Sequence, residues 1–248
     1  MIKIENVEVT GWEAAIRGMR NPMNSWEKSD SGYCLDTLAC HDCKWNRLTE
    51  VKCKTNIDNH IFVVGKDDLT LMKKLMASGT DHRKFMRMIT VYLDITAPLY
   101  WWKEMDTYQV GVTKNSCSTM HKIADKEFTL EDFSCEKLIN SMCMEIQEML
   151  KVRISPMQSM LTIVECLNSY RDLYLKTKDK KYWWQLIQLL PSSYNQRRTV
   201  MLNYEVLANM YKSRCNHKLD EWRELCTWIE SLPYSELITG VLDGTDNN

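Results

Sequence analysis

Arg87-Met88-Ile89-Thr90-Val91-Tyr92-Leu93-Asp94-Ile95 decides the fold. Ile89, Val91, Leu93 and Ile95 fall on one side of a period of two and Thr90, Tyr92 and Asp94 on the other, the pattern of a strand with one face against a core. Pro98 ends the strand, and the aromatic run Tyr100, Trp101 and Trp102 follows, ahead of a polar segment from Lys103 to Lys122. Just upstream the period changes. Leu69, Met72, Leu75 and Met76 recur at helical spacing between Asp67 and Ser78, with Asp67 or Asp68 as N-cap and Gly79 as the stop. Asp81 and His82 then lie in the turn between this helix and the strand.

Further out, Ile2, Ile4, Val7 and Val9 nearly alternate and predict a short half-buried strand, followed by a short helix over Ala14 to Arg20 that halts near Pro22. Asn24 to Asn59 is polar and has no sustained period, which reads as loops with at most a short hairpin. The second half predicts helices over Leu130–Lys151, Pro156–Lys176, Lys181–Leu190, Thr199–Ser213 and Leu219–Ser231, with Pro156 in a first turn and Pro191 at a break. The expected architecture is one α+β domain over residues 1–238, a small, mostly antiparallel sheet packed with several long helices, and a fraying acidic tail over 239–248.

Composition agrees with a globular chain. Of the 248 residues, 44% are hydrophobic and 26% charged, enough apolar surface for a substantial core. The formal charge of −1 supplies no positive field for counterion release, so nucleic acid is not an expected partner. No long apolar run points to a membrane span, and no basic leader precedes the first strand. Ten cysteines scattered among helical segments read as free thiols in a reducing cytoplasm rather than a disulfide scaffold.

Four places carry groups capable of chemistry. Cys40 and Cys43 have a zinc-ligand gap, with Cys34, His41 and Cys53 nearby, but no matching second pair, so free thiols and a structural metal both stand as readings. His82 in its turn is either a helix cap or a ligand donor. The run Asn115-Ser116-Cys117-Ser118-Thr119-Met120-His121 approaches a predicted long helix, whose N-terminus would attract a phosphate; the alternative is a turn and N-cap. Cys117 beside His121 lacks a third orienting group for nucleophilic catalysis. Asn203, Glu205, Asn209 and Arg214 interrupt an apolar helix. There Asn203 and Arg214 would share a face, and either protein neighbours or a polar ligand must satisfy them.

The last three places, in that order, resemble the flavin-dependent thymidylate synthases. Leu190-Pro191, then Asn203-Tyr204-Glu205-Val206-Leu207-Ala208-Asn209 with Arg214, then Asp220-Glu221-Trp222-Arg223-Glu224-Leu225, are similar to the family's closing pattern. Gly79, Asp81, His82 and Phe85 resemble its Gly and Glu-His turn, and Asn115, Ser118 and His121 fall where its signature has Asn, Ser and Tyr. The resemblance implies an α+β fold and a homotetramer. It places His82, Asn115, Asn203 and Asn209 around FAD, and Ser118 and Arg214 around a pyrimidine nucleotide. The activity it implies is reductive methylation of deoxyuridylate or a related nucleotide, with methylenetetrahydrofolate and NADPH as co-substrates.

Departures fall on the phosphate-binding chemistry. Where the family signature opens with Arg-His-Arg this chain has Asp106-Thr107-Tyr108-Gln109, and Met120, Ile187 and Glu205 stand at three further basic positions. Charge-assisted bonds to phosphate contribute about 1.5–3 kcal/mol each, so their loss implies weak nucleotide binding unless Lys103, Lys114, Lys122, Arg197 or Arg198 compensates. Two other readings follow: a non-catalytic descendant of the fold, and a zinc-stabilised interaction protein built on the Cys34–Cys53 region.

Overall fold

The computed structural model describes residues 2–33, 62–141, 149 and 154–240. In chain order its elements are β1 (Lys3–Thr10), α1 (Trp12–Arg20), β2 (Gly32–Tyr33), β3 (Phe62–Val63), α2 (Lys66–Ala77), β4 (Thr90–Pro98), α3 (Leu99–Met105) and β5 (Thr113–Ser116). Then come α4 (Pro156–Thr177), α5 (Lys180–Leu189), β6 (Asn195–Asn203), α6 (Tyr204–Arg214), α7 (Asp220–Glu230) and α8 (Glu236–Thr239). A 3₁₀ turn, Arg83–Met88, precedes β4. This is an α+β fold with a small antiparallel sheet.

The sheet runs in the order β1-β4-β6-β5, while β2 and β3 form a separate antiparallel ribbon. Tyr204 N–H donates to Ile89 C=O at one end of the β4–β6 pair and Leu99 N–H to Tyr194 C=O at the other, which makes the two strands antiparallel. The alternation read from sequence holds: Val91, Leu93, Ile95 and Ala97 are buried, while Tyr92, Asp94 and Thr96 lie on the other face. In β1, Asn6 takes φ 52°, and there the apolar parity shifts from Ile2 and Ile4 to Val7 and Val9. Gly11 (φ 90°) follows this strand, and a Cβ there would lie 2.0 Å from Met88 O, so the entry to α1 requires glycine.

The chain divides into two compact units, Met1–Asn6 with Leu93–Val200, and Val7–Tyr92 with Met201–Asn248. In the first, α4 and α5 pack together over Phe128, Phe133, Met160, Leu167 and Leu186. Ser155 caps α4 by accepting Gln158 N–H at 3.1 Å with Pro156 behind it, and Asp179 caps α5. In the second, α6 packs against α7, α8 and the 3₁₀ turn around Met86, Tyr204, Leu207, Trp222 and Leu237.

Several sequence expectations are corrected. Neither Asp67 nor Asp68 caps α2: Gly65 holds that position, and the Asp30 carboxylate receives the N–H groups of both at 2.9 and 3.0 Å. The strand expected over 87–95 runs over Thr90–Pro98, because the 3₁₀ turn takes Arg87 and Met88. The aromatic run forms α3, with Trp101 and Trp102 fully buried, and β5 lies within the polar segment that follows. Of the helix expected from Leu130, the first residues make only a 3₁₀ turn, Leu130–Asp132, and the chain through Asn140 is irregular; most of 142–153 lies outside the described residues. The helix expected from Thr199 begins instead at Tyr204, because Asn195–Asn203 is a strand with Gln196, Val200 and Leu202 buried. The Cys34–Cys53 cluster and residues 241–248 also lie outside the described residues.

Candidate functional site

In the second unit, Asn203 ends β6 and its Oδ1 accepts Val206 N–H at 3.0 Å, so it is the N-cap of α6 rather than a residue inside a helix. The face it was expected to share with Arg214 does not exist. Its Nδ2 donates to no protein group among the described residues. Asn209 lies exposed on α6, while the Arg214 guanidinium stacks 4.6 Å from the ring centre of the buried Trp222. His82 is exposed in its turn, and its N–H donates to Gly79 C=O at 3.1 Å.

The residue after His82 organises this region. Arg83 is buried, and its Nε donates to Glu205 Oε1 at 3.1 Å and lies 3.0 Å from Oε2, which has no hydrogen bond of its own. The pair holds the His82 turn to the first turn of α6, the helix that carries Asn209 and Arg214. Glu205 therefore points inward to a cation of its own chain rather than outward to repel a phosphate. Nothing in the sequence singled out Arg83, because its partner lies 122 positions away.

In the first unit, Asn115 is exposed on β5, and Ser118 Oγ accepts His121 N–H at 3.0 Å in the turn that follows. Cys117 N–H donates to Arg197 C=O at 3.0 Å, and Gln196 Nε2 donates to Cys117 C=O at 2.8 Å, which pins this segment beside β6. The chain continues through turns instead of entering a long helix. The helix N-terminus expected to dock a phosphate here is thus missing, and Ser118 serves the turn.

Of the basic residues offered as replacements for the signature arginines, Lys114, Lys122, Arg197 and Arg198 are engaged by acids of the same chain, whereas Lys103 is exposed with no ion-pair or side-chain hydrogen-bond partner among the described residues. Arg198 donates from Nη1 to Asp106 at 2.8 Å and stacks 4.2 Å from the Trp102 ring centre. Lys114 bonds to the carbonyls of Met105 and Tyr108, both at 2.9 Å, and lies 3.4 Å from Asp106. Lys122 pairs with Asp125 at 2.9 Å. Arg197 donates to Asp94 at 2.6 Å, joined there by Thr199 and Asn6; these hydrogen bonds, Thr199 first, hold the Asp94 carboxyl far below the usual carboxylate range.

In the second unit the amide of Asn209 and the imidazole of His82 are open to solvent and Asn203 offers its Nδ2, and in the first unit the amide of Asn115 is open to solvent; groups of these kinds can hydrogen-bond the polar edge of a flavin or a pyrimidine. Toward the phosphates of either ligand, Arg83, Lys114, Lys122, Arg197 and Arg198 each face an acid of this chain, while Lys103 is exposed with no such partner among the described residues. Thiol chemistry gains no support from Cys226, whose pKa burial pushes up to about 12. Among the described residues no three His, Cys, Asp or Glu side chains gather as a metal site, and no helix is long and apolar enough to cross a membrane.

No family model and no curated protein matches this sequence. Solved structures do. Thymidylate Synthase X (ThyX) from Helicobacter pylori, solved with FAD and dUMP, is 16% identical with a TM-score of 0.59, over 98% of this chain and 99% of that one. A second structure of the flavin-dependent enzyme from that organism, also complexed with FAD and dUMP, matches at the same identity and TM-score over 96% and 99%. At this identity the likeness is one of fold, and it shows that the chain has the fold of the flavin-dependent thymidylate synthases over nearly its whole length.

Proposed function

We propose that this protein is a flavin-dependent thymidylate synthase-like enzyme that holds FAD and deoxyuridylate, or a related pyrimidine nucleotide, and methylates the pyrimidine reductively with methylenetetrahydrofolate and NADPH. The observation that carries the reading is the near end-to-end fold likeness to an enzyme solved with FAD and dUMP. Because fold alone does not imply function, the side chains must agree. His82, Asn115 and Asn209 do, being exposed hydrogen-bonding groups at the positions the family pattern marks.

A bound flavin would carry the hydride chemistry, so no side-chain nucleophile is required. This chain's own residues would bind and orient: His82, Asn115, Asn203 and Asn209 toward FAD, Ser118 and Arg214 toward the nucleotide. The assembly is a cytoplasmic homotetramer in this reading. Purified protein is expected to absorb between about 350 and 500 nm and to form thymidylate from deoxyuridylate when supplied with the co-substrates. Protein that neither carries flavin nor melts higher when FAD is added would overturn the reading.

A second reading, a catalytically inactive descendant that still binds nucleotide, is favoured by one observation: Asp106, where the family signature begins, is paired with Arg198 and Lys114. Thymidylate formation by the purified protein would exclude it.

A further inference from the structure

Arg83, Lys114, Lys122, Arg197 and Arg198 each face an acid of this chain, so phosphate recognition beside His82 requires cations free of such a partner. The 3₁₀ turn Arg83–Met88 supplies them. With three residues per turn, side chains three apart lie in one row. Arg83 and Met86 form the buried row, with Ile89 buried just beyond the turn; Lys84 and Arg87 form another, both exposed. Neither Lys84 nor Arg87 has an ion-pair or hydrogen-bond partner among the described residues. His82 is exposed immediately before this row begins, and the buried Arg83–Glu205 pair anchors the turn that carries it.

We infer that Lys84 and Arg87 form a phosphate-binding face beside His82, a deepening of the function proposed above on which it rests. The ligand chemistry is a phosphate ester or pyrophosphate, and its source is either the nucleotide or FAD. Two cations three residues apart on a rigid turn reach different oxygens of one phosphate group, and the guanidinium can do so with two donors. Asp81 is exposed and precedes Lys84 by three residues, so its carboxylate opposes the anion. Its removal is expected to strengthen binding.

The test compares ligands with and without phosphate on the full chain: deoxyuridylate against deoxyuridine, and FAD against riboflavin, by calorimetry at two salt concentrations. The wild type is expected to prefer the phosphorylated member of at least one pair. In Lys84→Gln and Arg87→Gln that preference shrinks about tenfold or more each, with nucleoside or riboflavin affinity, melting temperature and salt-independent binding unchanged. The pair in which the preference collapses identifies the source of the phosphate. Asp81→Asn is expected to move affinity the other way. A wild type that binds none of the four ligands defeats the proposed function itself. A wild type that binds a phosphorylated ligand, with both Gln variants retaining the full preference, defeats this inference and leaves that function standing.

Discussion

Asp68 and Asp94 are both carboxylates gathered in by hydrogen-bond donors, one in each unit, and their surroundings make them different devices. Asp68 is fully buried and accepts from Arg20 Nε and the hydroxyls of Ser29 and Ser31, all at 2.6 Å, and from the N–H groups of Asp30 and Ser31 at 3.2 Å. Asp94 lies on the face of β4 opposite the buried row, its side chain 14% exposed and that of its partner Arg197 48%, and accepts from Thr199 and Arg197 at 2.6 Å and from Asn6 at 2.7 Å. The donors are alike in kind. Where water is excluded, such a knot ties segments together, because an unmatched charge there is costly. Where water competes, it adds little to stability and instead fixes which cations remain open to a ligand.

The largest effect is expected where the burial is deepest. Asp68→Asn leaves the buried Arg20 guanidinium without its counter-charge and should cost about 3–5 kcal/mol of stability, read from urea unfolding. Replacing both partners with apolar residues, Arg20→Met with Asp68→Leu, should recover much of that loss. A double variant as unstable as Asp68→Asn would assign the stability to the serine and backbone bonds instead of the charge pair. The acid response follows from the same geometry. Burial pushes the Asp68 pKa up, but the bonds from Ser29, Ser31 and Arg20 outweigh it and hold it below the usual carboxylate range. The contribution is thus complete above about pH 4, the ordinary value, and is lost as pH falls through the lowered one. Asp68→Asn should flatten stability over that acid window.

Arg83 and Glu205 fall between the two cases, since both are buried but one carboxylate oxygen has no donor. Glu205→Gln keeps the shape, removes the charge and should cost about 1–3 kcal/mol. Amide exchange over Arg83–Met88 should quicken at the same time, because the His82 turn loses its tie to α6. Destabilisation with unchanged exchange there would mean the pair supports α6 alone.

These knots also mark where sequence reading stops. β4 was legible because the residues on one of its faces are all apolar, and α4 because Pro156 suits its first turn. β6 was not: Val200-Met201-Leu202 has no polar break, and a continuous apolar run does not separate strand from helix until Gln196 and Arg197 are seen on opposite faces. Asn203 was correctly marked as polar in an apolar setting but misplaced in role, since an N-cap looks like a helix residue when the helix is drawn five residues too early. His82, Asn115 and Asn209 were singled out for FAD only through the family resemblance and its order along the chain; their exposure is seen only in the structure. Arg83, Asp68 and Asp94 were not legible, because what gives each its role is a partner between 37 and 122 residues distant.

Asp94→Asn should be the mildest of the three in stability and the most informative about ligands. The amide keeps a carbonyl oxygen for Thr199 but no charge for Arg197, whose guanidinium is about half exposed and has Asp94 as its acid partner. The melting temperature should therefore move less than in Glu205→Gln, since a surface ion pair contributes little. Arg197 should become more reactive: modification by phenylglyoxal, located by peptide mapping, is expected to rise at Arg197 and not at Arg198, which Asp106 and Trp102 hold. If Arg197 reactivity stays at its wild-type level, Asp94 is not what keeps this cation from an anionic ligand, and the contrast with Asp68 narrows to one of burial alone.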